Sequence, residues 1–137
     1  MSGERFLVDT SFVQALLNAA DQHHSKALSF LPRLRAAKEA WLTEAVLIEI
    51  GNALSSWNRA AAVTFIEQAY TTANMRVVPV DSALLQRGLN LYRSRADKAW
   101  GLTDCISFVV MEEQQLTDAV TADRHFQQAG FQALMLD

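Results

Sequence analysis

Four carboxylates are the residues with the clearest chemical potential in this chain: Asp9, Glu49, Asp104 and Asp123. Asp9 closes the apolar run Phe6-Leu7-Val8, and Asp123 follows Val120-Thr121-Ala122. Asp104 falls in the first turn of a helix predicted from Thr103. Glu49 interrupts the apolar run Val46-Leu47-Ile48-Glu49-Ile50. Taken singly, three of them have ordinary structural explanations. Asp9 and Asp123 can cap helices, and Asp104 can complement a helix dipole while Thr103 caps, effects worth up to about 1 kcal/mol each. Glu49 is harder to explain in this way. At ~100° per residue it sits about 60° from Val46, on the flank of a buried stripe, facing either water or a polar cleft.

Together the four imply a metal-dependent reaction. Two carboxylates ~4 Å apart repel by about 4 kcal/mol at a surface-like dielectric, so a shared cleft requires cations or protons to offset the charge. Hard oxygen donors without Cys or His select Mg²⁺ or Mn²⁺ over zinc. Carboxylate-held Mg²⁺ keeps several waters and completes its shell with substrate phosphate. One or two such ions generate hydroxide, orient a phosphodiester and stabilise the leaving oxygen. The chemistry that follows is hydrolysis of a nucleic-acid backbone.

For this to hold, the fold must bring the four to one edge. Short β-branched or apolar runs predict strands at 6–8, 40–43, 75–80, 118–121 and 131–136. Helices are expected at 12–20, from Ala27 up to Pro32, at 44–57, 59–74, 82–96, 103–115 and 123–129. Thr10-Ser11 and Asp81-Ser82 are candidate caps, and Gly130 a helix stop. The 44–57 helix should present Val46, Ile50, Ala53, Leu54 and Trp57 as one apolar stripe. Pro79 places the third strand at a sheet edge, because it cannot donate to a ladder. The 103–115 helix is apolar on nearly every side and should be buried. Strands alternating with helices mean a parallel sheet covered on both faces, a three-layer α/β/α sandwich. Right-handed crossovers put every strand-to-helix turn on one edge, where ligands bind in such sheets.

With half of its 137 residues hydrophobic, the chain reads as a single domain over 1–137. It shows neither a signal-peptide pattern at its start nor an apolar run of the ~20 residues needed to span a bilayer, so a cytoplasmic location is expected. The lone Cys105 excludes an internal disulfide and a thiolate-rich metal site. A net charge of −3 argues against broad electrostatic attachment to nucleic acid. It leaves room for a local patch of Arg87, Arg93, Arg95 and Lys98, with Arg124 as a further candidate phosphate contact. The plain alternative for these residues is a solvated surface.

Four segments carry a family resemblance: Phe6-Leu7-Val8-Asp9-Thr10-Ser11, Leu42 to Leu54 around Glu49, Trp100 to Phe108 around Asp104, and Leu116 to Phe126 around Asp123. In this order and spacing the chain resembles the PIN domain, and within it the VapC-type toxins. The resemblance implies a Rossmann-like, five-stranded parallel sheet with the first strand central. It also implies Mg²⁺- or Mn²⁺-dependent endoribonuclease activity. Asp9, Glu49, Asp104 and Asp123 occupy the family's acidic positions, as catalytic residues and metal ligands. Thr121 matches a polar position that helps order the metal or its water, and Thr10 is a further supporting polar residue. A homodimer and an inhibitory antitoxin partner are implied as well, with RNA as substrate and the toxin of a type II toxin–antitoxin pair as the role.

Other candidates weigh less. Asp81 reads as a helix cap and Glu44 as a solvated first-turn residue. His23 and His24 point apart, His125 reads as a surface histidine, and Cys105 packs as a small apolar residue. A haloacid-dehalogenase-type phosphatase would need an Asp at position 11, where Ser11 stands. A P-loop enzyme would need a Gly-rich loop ending in Gly-Lys-Ser/Thr, which is absent. The remaining alternative is a catalytically silent PIN-like module that binds RNA or protein. An intact set of four acids argues against it, since a pure binding surface has little use for negative charge against phosphates.

Overall fold

The computed structural model describes residues 3–136; the outermost positions of the expected 1–137 domain lie outside the described residues. Strand β1 (Arg5–Val8) is central, as the resemblance implied. The sheet order is β3-β2-β1-β4-β5, all parallel, with β2 (Glu39–Thr43), β3 (Met75–Val78), β4 (Asp118–Val120) and β5 (Gln132–Ala133). Successive side chains of a strand point to opposite faces, and β1 divides accordingly. Phe6 and Val8 join the core beneath α1 (Thr10–Leu17), α2 (His24–Ala36), α3 (Glu44–Leu54) and α4 (Arg59–Thr71). Leu7 points the other way, into a second core with α6 (Leu102–Gln114) and α7 (Arg124–Gln128). There Phe108 stands edge-on to Trp100 and Phe126 at 5.1 and 4.9 Å between ring centroids. Helix α5 (Ser82–Ser94) packs on α6 through Leu84, Ile106 and Val110. These are the three expected layers. β3 lies at an edge, as Pro79 predicted, and Cys105 is fully buried.

Several element limits differ from expectation. Asp9 itself caps α1, in place of Thr10-Ser11, which lie inside the helix. Helix α2 does not end at Pro32 but runs to Ala36. The exposed proline forfeits its own amide bond and crowds the carbonyl four residues before it, a cost that the packing around it offsets. Buried Phe30 before it, partly buried Leu34 after it, and the Arg33–Glu4 ion pair at 2.7 Å hold the helix on both sides. Helix α3 stops at Leu54. Trp57 is 52% exposed, its Nε1–H donating to the Ala53 carbonyl, so neither Ala53 nor Trp57 belongs to the apolar stripe. Helix α4 stops at Thr71, and beyond it the Asn74 amide ties the loop to the carbonyls of Leu34 and Ala37 at 3.0 Å each. The last strand is cut to two residues and turns into a 3₁₀ segment, Leu134–Leu136, where the Met135 N–H bonds the Thr121 carbonyl instead of a ladder partner.

Candidate active site

All four predicted carboxylates line one cleft at the carboxyl edge of the sheet, a space of about 630 Å³. Asp9 stands at the end of β1. Its Oδ2 accepts from the Ser11 amide at 3.4 Å, from Ser11 Oγ at 3.1 Å and from Thr121 Oγ1 at 2.8 Å. Thr121 follows β4 and is fully buried. Its Oγ1 also meets Ser11 Oγ at 2.9 Å and accepts the Asp123 amide at 3.0 Å, while Ser11 Oγ accepts the Ala122 amide. The ends of the two central strands are therefore joined through hydroxyls around one carboxylate. Burial pushes Asp9 up to a pKa of about 6 despite those donors, and the charge of Asp104 adds to the rise.

The opposite wall comes from α3 and α6. Thr43 caps α3 by accepting the Val46 amide at 3.3 Å, which sets the helix running from the end of β2. One and a half turns on, Glu49 is exposed at the cleft, and Thr10 Oγ1 donates to its Oε1 at 2.7 Å. Helix α6 begins one residue earlier than expected, so Thr103 lies inside it and does not cap. Asp104 instead reaches back, its Oδ2 accepting the Gly101 amide at 3.2 Å. Its pKa is raised by burial first and by Asp123 second. Asp123 caps α7, accepting the His125 amide at 2.9 Å.

Not all four acids are equally close. Among the described residues, Asp104, Asp123 and His125 form a group whose donor atoms lie within 4.8 Å of one another. Asp9 and Glu49 share the cleft but fall outside that tight group. The two carboxylates of this group, with two more carboxylates in the same cleft, offer an oxygen donor set that fits Mg²⁺ or Mn²⁺.

His125 is therefore no plain surface residue: its Nδ1 lies 3.3 Å from Asp104 Oδ2 and 3.2 Å from Asp123 Oδ1. Ser11, Gln14 and Asn52 also line the cleft beyond the predicted set. Asn52 could have been found by its place three residues after Glu49 on one helix face, and Gln14 by its place four after Thr10.

The set-aside candidates also acquire positions. Asp81 caps α5 through the Leu84 amide at 2.8 Å. Glu44 is not simply solvated: Tyr70 Oη donates to it at 2.7 Å and the Val80 amide at 3.1 Å. None of Arg93, Arg95, Lys98 and Arg124 lines the cleft. Arg93 donates to Asn90, and Arg95 forks onto Asp97 at 2.9 and 3.0 Å while lying over the Trp100 ring. Arg87 pairs with Glu113 at 2.7 Å. Arg124 is exposed, next to Asp123 in the chain.

The sequence profile of the PIN domain matches residues 6–132, nearly the whole chain. The chain belongs to the PIN domain family. Comparison with curated proteins gives no match. Among solved structures, this PIN domain is similar to VapC20 of Mycobacterium tuberculosis, a sarcin-ricin loop cleaving toxin. The TM-score is 0.83 at 25% identity, over 93% of this chain and 97% of that one. It also shares its fold with a chain of FitAcB from Neisseria gonorrhoeae, at TM-score 0.63 and 15% identity over 94% of this chain and 98% of that one.

Proposed function

We propose that this PIN domain, a single domain over the whole chain, is a Mg²⁺- or Mn²⁺-dependent endoribonuclease that hydrolyses RNA phosphodiester bonds, and that it acts as the toxin of a type II toxin–antitoxin pair. The observation that carries the reading is the convergence of Asp9, Glu49, Asp104 and Asp123 on one cleft, with Asp104 and Asp123 close enough to share an ion. The likeness to VapC20, a sarcin-ricin loop cleaving toxin, supports the reading.

In this reading Asp104 and Asp123 hold the cation directly, and Asp9 and Glu49 complete the set, in part across the waters that Mg²⁺ tends to keep. A cation so held supplies Lewis-acid stabilisation of the phosphodiester and eases proton loss from water at neutral pH. Thr121 and Ser11 fix the Asp9 carboxylate. Thr10 fixes Glu49 through Oε1. The proposed phosphate contacts are Arg124, next to Asp123 in the chain, and Arg93, Arg95 and Lys98.

The proposed partners are RNA, an antitoxin protein and a second copy of the chain. An apolar groove of about 560 Å³, floored by Val8, Ala40 and Met75 between α1–α2 and α4, supports a protein partner. Exposed Ile48, Leu85 and Tyr92 support self-association. No helix among the described residues is long and apolar enough to cross a membrane, which is compatible with a cytoplasmic site of action.

The test is cleavage of a mixed cellular RNA pool in Mn²⁺, Mg²⁺ or EDTA by wild type and Asp104→Asn. Cutting by wild type alone, abolished by EDTA, is the expected result. Equal cutting by both proteins would remove the site assignment, and an intact pool with wild type in Mn²⁺ would favour a silent binding module.

A further inference from the structure

We infer that His125 is a positioning residue whose imidazole holds Asp104 and Asp123 in the arrangement that receives a divalent cation. The inference rests on reading the cleft as a metal centre. Nδ1 faces one oxygen of each carboxylate, at 3.3 Å from Asp104 Oδ2 and 3.2 Å from Asp123 Oδ1. A ring carrying its proton on Nδ1 donates to Asp104 Oδ2, with Asp123 Oδ1 close to the same nitrogen but outside hydrogen-bond geometry, and the neutral tautomer is sufficient. That N–H, bonded to one carboxylate and lying beside the other, offsets part of the repulsion that would otherwise separate two carboxylates brought together from different helices.

The ring is aimed by parts of the fold that owe nothing to a cation. Phe126, the next residue, is fully buried against Phe108 and sets the rotation of α7. Asp123 Oδ1 accepts the His125 backbone amide at 2.9 Å, which ties the start of α7 to the same carboxylate oxygen that the ring faces. Asp104 is held from its own side by the Gly101 amide, again on Oδ2. Every one of these contacts falls on Oδ2 of Asp104 or Oδ1 of Asp123, leaving the second oxygen of each carboxylate to the ion. Partners that orient ligating groups in this way change metal affinity typically 10–100-fold when removed.

The experiment is direct titration of Mn²⁺ by electron paramagnetic resonance on wild type, His125→Ala and His125→Asn, with pulsed spectra of the wild-type complex. An asparagine places an amide nitrogen near the position of Nδ1 and carries no imidazole. His125→Ala is expected to bind Mn²⁺ roughly 10–100-fold more weakly. His125→Asn should recover most of the loss, and the wild-type spectra should show no coupling to an imidazole nitrogen. Equal affinity in wild type and His125→Ala, failure of asparagine to recover binding, or an imidazole coupling in wild type would each overturn the positioning role. A wild type that binds no Mn²⁺ at all would instead overturn the metal-centre reading on which the inference stands.

Discussion

Asp9 keeps Thr121 and Ser11 as donors to its carboxylate, yet burial still lifts its pKa from 3.8 to about 6. A carboxyl whose pKa is higher in the folded than in the unfolded chain holds its proton more tightly when folded. Its contribution to stability is therefore most favourable below pH 3.8, declines as pH rises through about 6, and is level above that. The gap of about 2 pKa units corresponds to roughly 3 kcal/mol at neutral pH and above. Asparagine keeps a carbonyl oxygen for the same donors and has no charge to bury. In EDTA at pH 8, Asp9→Asn is accordingly expected to raise the free energy of unfolding by about 2–3 kcal/mol, with the gain fading below pH 4. The proposed metal role of Asp9 predicts that cleavage is lost at the same time. Denaturant titrations across pH check this, and a variant less stable than wild type at pH 8 would mean that the hydrogen bonds need a full charge.

At the scale of elements, the α5–α6 contact is what fixes the helix that carries Asp104. Gly88 of α5 lets the backbones close: a Cβ there would come within 2.6 Å of Ile106 Cγ1 and 3.4 Å of Ile106 Cα. Gly88→Ala gains about 1 kcal/mol of helix propensity but overpacks the contact, for a net loss of about 1–2 kcal/mol. Because the Ile106 side chain is the obstacle, Gly88→Ala combined with Ile106→Ala should be at least about 1 kcal/mol more stable than the sum of the single changes. Denaturant unfolding of the four proteins measures that coupling, and strict additivity would show that the backbone, not Ile106, is what the methyl meets. The core of this architecture could be read from the chain because its signals are local: alternating strands and helices, Pro79 at an edge, Asp81 and Asp123 before helices. The limits that could not be read are those decided across the fold. Pro32 is carried through by packing on both sides of it, and the last strand is shortened by the bond from Met135 to Thr121. The site divides in the same way. The four acids are visible from their places at element ends and in an apolar run, whereas His125 gains meaning only from Asp104, 21 positions away.

The molecule as a whole is poorly charged for gripping RNA without help. Fifteen acids against twelve basic residues give a net charge of −3. Several arginines are also already paired, Arg5 with Glu39, Arg33 with Glu4, Arg87 with Glu113 and Arg95 with Asp97. On the proposed function, phosphate approaches a cleft lined by four carboxylates. In that reading, attraction therefore comes mainly from the ion, with a few cations such as Arg124 assisting. Binding of a labelled single-stranded RNA is thus expected to depend far more on a divalent cation than on dissolved salt. With Ca²⁺, a hard cation that oxygen ligands also hold, fluorescence anisotropy should show binding at least about tenfold tighter than in EDTA, a difference of about 1.4 kcal/mol. The slope of log K against log salt should be no steeper than about −2, since each single-strand phosphate contact contributes about −0.7. Arg124→Ala should make that slope shallower by about one such step, whereas Arg95→Ala, already tied to Asp97, should change it less. Tight binding that persists in EDTA with a steep salt slope would place the grip on basic side chains, and the carboxylate cleft would then have to serve something other than RNA.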